Sequence, residues 1–133
     1  MSQSKASRPL SPHLTIYRQT LTMMMSIAHR ISGGALYFGM LLVAWWLMAA
    51  AGSANGYGRF QAFIGSWFGC LLLLGFSWAL LLHALGGIRH LIWDLGYGFG
   101  PGEREWLARA TLVGSIVLAV VIWIVGFILV GRS

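Results

Sequence analysis

Three long stretches of this chain carry no formal charge. Twenty-eight residues separate Arg30 from Arg59, 29 separate Arg59 from Arg89, and 22 separate Arg109 from Arg132, none of them Asp, Glu, Lys or Arg. An α-helix needs roughly 20 apolar residues to cross a hydrocarbon core of about 30 Å, and each stretch exceeds that. Of the 133 residues 58% are hydrophobic and only 9% charged, against about 25% charged in a soluble domain. A soluble globular domain is excluded. So is intrinsic disorder, which requires few apolar residues and much charge. The expected class is an all-α integral membrane protein with three transmembrane helices.

The whole chain, 1–133, reads as one membrane domain. A basic arm covers 1–23, and transmembrane helices cover about 24–51, 63–92 and 108–130. Pro9 and Pro12 break the arm, which has no apolar core and is no cleavable signal. Gly52–Gly58 and Gly96–Gly102 read as loops, because Pro101 and a preceding apolar helix do not fit a dinucleotide fingerprint. Gly65 and Gly69 form a small-xxx-small pair where another helix could approach. The third span is chemically silent and reads as a packing element. Cys70 is the single cysteine, which excludes an intrachain disulfide, and an iron–sulfur cluster or structural zinc site built from this chain alone.

The formal charge is +6, yet nucleic acid is not the expected partner, because the basic residues flank the spans. Lys5, Arg8, Arg18 and Arg30 share a face with Arg89, Arg104 and Arg109, leaving Arg59 and Arg132 opposite. Cytoplasmic segments carry the excess of Lys and Arg, so the N-terminus is expected in the cytoplasm and the C-terminus outside. Trp93 and Trp106 near the inner boundary, and Trp45, Trp46 and Trp67 near the outer one, fit aromatic belts.

Of the four histidines, His83 lies deepest, about 9 Å inside the boundary at Arg89 on a helical rise. Ionisable groups inside a span are costly and face the bundle interior or a site. A helix–helix hydrogen bond is one reading. The neighbours offer another. His83, Gly86, Gly87 and His90 stand at i, i+3, i+4 and i+7 on one helix face, so two glycines leave a flat strip between two imidazoles. A haem with an axial histidine needs such a strip, and Arg89, His90, His29 and Arg30 are candidates to meet its propionates. No other histidine matches the expected depth of His83, so a second ligand is expected from another subunit. Three helices also make an incomplete bundle.

Ser26, His29, Arg30 and Gly33 repeat the same spacing on the first span. A hydroxyl beside a guanidinium suits a quinone carbonyl or a lipid phosphate. The other reading is a snorkelling arginine with a helix-start serine.

Three runs carry a resemblance: Arg8–Arg18 (RPLSPHLTIYR), Ser26–Gly33 (SIAHRISG) and His83–Gly96 (HALGGIRHLIWDLG). In this order and spacing they resemble the cytochrome b large membrane-anchor subunits of succinate dehydrogenase, and chain length fits end to end. The resemblance implies an anchor of succinate:ubiquinone oxidoreductase, respiratory complex II, in respiratory electron transport and the tricarboxylic acid cycle. By the same resemblance His83 is the axial ligand of haem b shared with a small anchor subunit. Ser26, Ile27 and Arg30 line a ubiquinone site beside the iron–sulfur subunit, and His29, Arg30 and His90 lie near the haem propionates. FAD and iron–sulfur clusters belong to the partner flavoprotein and iron–sulfur subunits, so no acid/base catalytic residue and no succinate-oxidising site are expected in this chain. The short stretch before Arg8 favours a bacterial inner membrane. Two alternatives stay open: a quinol:fumarate reductase anchor, and a purely structural anchor binding neither haem nor quinone.

Overall fold

A computed structural model describes His13 and residues 16–131 of the chain. It contains helices α1 (Leu21–Ala51), α2 (Ala54–Ile64), α3 (Trp67–Asp94) and α4 (Pro101–Val130). Among the described residues there is no strand. Helices α1, α3 and α4 are long and apolar enough to cross a membrane, in agreement with the all-α class and three spanning helices. Lys5, Arg8, Pro9, Pro12 and Arg132, used above for the arm and for orientation, lie outside the described residues.

Helix bounds depart from expectation at the polar ends. Helix α1 starts at Leu21 rather than Met24, because Thr20 is extended and its side chain accepts from the Met23 N–H. Helix α4 starts at Pro101 rather than Ala108. Proline is pre-organised for the first helical position, and the Glu103 carboxylate accepts from the Gly100 N–H at 3.0 Å. A gap in charge marks the apolar part of a helix and misses the polar turns that extend it beyond the bilayer.

Helix α2 occupies much of what reads in sequence as a loop and a span start. Ser53 caps it, its Oγ accepting from the Gly56 N–H at 3.2 Å. Phe60 and Phe63 then pack against Trp45, each at 5.1 Å between ring centroids. Gly65 closes α2 and Ser66 caps α3, accepting from the Gly69 N–H at 3.1 Å. Gly65 and Gly69 therefore are not a pair on one helix face. A Cβ on Gly69 would strike the Phe63 carbonyl, so this glycine lets the end of α2 pass close to α3.

Helix α3 packs between α1 and α4. Small residues Ala108, Thr111, Ser115 and Ala119 form a buried stripe on α4, which lets helix backbones approach closely. Two indoles fasten the pair: Trp78 Nε1 donates to Ser115 Oγ at 3.2 Å and Trp123 Nε1 to Ser77 Oγ at 2.9 Å. At the other end Met25, Leu82 and Ala108 join α1, α3 and α4 in one apolar cluster. The α3–α4 turn uses Gly96 and Gly98 at φ 86° and 79°, a region that disfavours other residues. Trp93 Nε1 donates to the Gly98 carbonyl at 3.1 Å. Trp93 is thus turned into this loop rather than towards lipid, whereas Trp67 and Trp106 are exposed as a belt requires.

Candidate functional site

Helices α1 and α3 bring three histidines together near the apolar cluster. The rings of His29 and His83 stack with centroids 4.1 Å apart and planes 6° from parallel. The His90 ring lies 5.2 Å from His29 at 59°. Sequence depth puts His29 at the boundary, shallower than His83, but the structure sets them side by side. The earlier start of α1 explains it: His29 stands eight residues past Leu21, or about 12 Å along the helix. Stacked faces do not aim their nitrogens at one metal from opposite sides, so His29 does not complete a ligand pair with His83.

The approach of the two helices depends on reciprocal glycines. A Cβ on Gly33 would stand 3.0 Å from His83 Cε1, and one on Gly86 would collide with the His29 ring. The strip expected at Gly86 and Gly87 is therefore not bare. The His29 ring fills the Gly86 side, while Gly87 has nothing within 4 Å and remains open.

Hydrogen bonding fixes the state of His83. Its Nδ1 lies 3.1 Å from the His29 carbonyl oxygen and 3.2 Å from Ser32 Oγ. A carbonyl can only accept, so Nδ1 carries a proton, and in the neutral ring Nε2 is then the nitrogen with the lone pair. Among the described residues Nε2 makes no hydrogen bond. Nδ1 joins two helices, as the hydrogen-bond reading of His83 expects, and Nε2 is left without a partner among the described residues. Ser32 is buried, and the sequence gives it no role, although it follows His29 by one helical turn on the same face.

Arg89 is 1% exposed, and its Nε, Nη1 and Nη2 have no hydrogen-bond partner among the described residues. Its guanidinium lies 5.1 Å from the centre of the Trp93 ring. His29 Nε2 is likewise buried and unpartnered. A buried cation without an acceptor is strongly unfavourable, so these groups fit a site completed by an anionic group. His90 is exposed and meets the edge of Trp93 at 5.2 Å.

Ser26, Ile27 and Arg30 stand apart from this cluster. Ile27 and Arg30 are exposed and Ser26 half-buried, and none hydrogen-bonds through its side chain to another described residue. They form an open flank of α1 rather than an enclosed pocket. Among the described residues no group of three or more His, Cys, Asp or Glu is placed to hold a metal ion. The donor set at His83 is a single imidazole, which suits iron already held by a macrocycle.

Fold and site define a multi-pass helical membrane protein with a histidine site between two spans. Residues 4–126 match the succinate dehydrogenase/fumarate reductase transmembrane subunit family, and the chain belongs to that family. It is 42% identical over 125 residues to the succinate dehydrogenase cytochrome b556 subunit of Paracoccus denitrificans, covering 94% of this chain and 96% of that one. Against the cytochrome b556 subunit of Rickettsia conorii the identity is 36% over 117 residues, covering 88% and 91%. The mitochondrial cytochrome b560 subunit of Mus musculus is 38% identical over 120 residues, covering 87% of this chain and 69% of its own. The chain is accordingly a membrane-anchor subunit of an oxidoreductase complex, with bacterial homologues.

Proposed function

We propose that this chain anchors succinate:ubiquinone oxidoreductase in a bacterial inner membrane, holds haem b with a small anchor subunit, and contributes to quinone reduction. The observation carrying the haem assignment is His83, with Nδ1 anchored on α1 and Nε2 free. Arg89, His29, His90 and Arg30 would meet the propionates, and the orphaned nitrogens of Arg89 and His29 support that reading. Such a haem supplies a one-electron store beside the quinone site. The chain's own contribution is to present one neutral imidazole, to exclude water with the apolar ends of α1, α3 and α4, and to balance carboxylate charge.

Ser26 and Arg30 hold the quinone carbonyl by hydrogen bonds from hydroxyl and guanidinium, and Ile27 flanks the ring. Their exposed flank supports a site finished by a neighbouring subunit. Electrons reach it from the iron–sulfur subunit, which receives them from the flavoprotein. The N-terminus lies in the cytoplasm, on the side where those two subunits dock. Names of relatives favour the succinate dehydrogenase direction over fumarate reduction.

The test is a reduced-minus-oxidised optical spectrum of the purified complex, wild type and His83→Ala. A b-type spectrum that weakens or changes in the variant is expected. An unaltered spectrum and potential in His83→Ala would remove His83 as ligand.

A further inference from the structure

Ser32 is the buried polar side chain that touches His83, and neither the haem nor the quinone assignment uses it. Its Oγ lies 2.8 Å from the His29 carbonyl, to which it donates, and 3.2 Å from His83 Nδ1. Since the serine proton goes to the carbonyl, the oxygen lone pairs face Nδ1–H and accept from it. The His83 proton is therefore shared between two acceptors, the Ser32 hydroxyl and the His29 carbonyl at 3.1 Å. A hydroxyl that donates is polarised into a better acceptor. The three contacts form a closed triangle across the α1–α3 contact.

We propose that Ser32 is a positioning residue for the axial ligand, setting its tautomer, its ring orientation and its electron donation to iron. The proposal rests on the haem reading above. A ligand imidazole that donates its second N–H becomes a stronger base towards the metal. Stronger donation stabilises ferric over ferrous iron and lowers the potential. Gly33 closes the other side of the ring, its absent Cβ leaving 3.0 Å to His83 Cε1, so the imidazole has little freedom to find another acceptor. The His29 carbonyl survives substitution of Ser32, which limits the effect to a partial one.

The experiment is redox titration of the haem in the assembled, purified complex carrying Ser32→Ala, Ser32→Cys or Ser32→Thr, with His83→Ala as control. Ser32→Ala is expected to keep a b-type spectrum and to raise the midpoint potential, the ferric-to-ferrous preference falling by up to about tenfold, or about 59 mV for one electron. Ser32→Cys conserves size but is a weak hydrogen bonder, and should shift in the same direction. Ser32→Thr keeps the hydroxyl and should titrate like wild type. Wild-type potentials in Ala and Cys would overturn the proposal, as would a Thr shift as large as that of Ala. Lower haem content at an unchanged potential would also overturn it, reducing Ser32 to a packing role. If Ala does not assemble, Cys decides alone. An unchanged spectrum in His83→Ala is a separate failure, that of the haem reading itself.

Discussion

At the scale of single residues, the two arginines of the site differ in surroundings and therefore in what their loss should do. Arg30 is exposed, and its side chain makes no hydrogen bond or ion pair among the described residues. If it donates to a quinone carbonyl, a charge-assisted hydrogen bond of about 1.5–3 kcal/mol is at stake, so Arg30→Ala should slow quinone turnover roughly ten- to a hundredfold. Ser26→Ala, losing a neutral donor, should slow it less. Succinate-dependent reduction of a soluble dye, which takes electrons upstream, should stay near normal in both. Arg30→Lys separates the readings: lysine reaches lipid phosphate as well as arginine does but lacks the planar fork. Quinone reductase activity equal to wild type at equal assembled complex would sink the quinone role of Arg30. Arg89 is buried without a hydrogen-bond partner among the described residues, and replacing it with an isosteric apolar residue relieves desolvation. Arg89→Met should nonetheless lower haem occupancy, measured per complex by pyridine haemochrome, because the propionate loses its cation. Full occupancy with a raised Tm would mean that no anion ever pairs with it.

At the scale of elements, the α1–α3 contact is built from two glycines that each receive the other helix's histidine. A Cβ on Gly86 collides with the packed His29 ring, and overpacking a tight contact costs typically 1–3 kcal/mol. Gly86→Ala should therefore lower the yield and Tm of assembled complex, as followed by thermal loss of subunit association. Gly126→Ala in α4, where nothing lies within 4 Å, should leave both within error. The three spans were legible because hydrophobic length is a property of local sequence alone. Helix α2 was not, since Gly56 and Gly58 read as turn residues and outweigh the Ser53 cap and the Phe60–Phe63 spacing. In the site, the face carrying His83 and His90 was legible from helical periodicity. The pairing of His29 with His83 was not, because the register between two antiparallel helices depends on where each one starts. Ser32 went unread for the same reason: its partner lies 51 residues away.

At the scale of the whole molecule, the expected orientation follows from where lysine and arginine gather. A periplasm-dependent reporter fused behind Ser133 should be active, and a cytoplasm-dependent one silent. The opposite pattern would reverse the topology and detach the site from the side where soluble subunits dock. The long separation between Ser32 and His83 also has a meaning in time. A ribosome adds about 5–20 residues per second, so the separation of 51 positions takes roughly 3–10 s to make. During that interval α1 sits in the bilayer without α3, carrying a hydroxyl and an imidazole that lipid cannot satisfy. Ser32 bridges the wait by bonding back to the His29 carbonyl within its own helix. The His29 ring makes no such bond, and what α3 brings it is the face of the His83 ring. The stacked pair of imidazoles therefore cannot form until α3 has been made, whereas the serine bond within α1 can form at once.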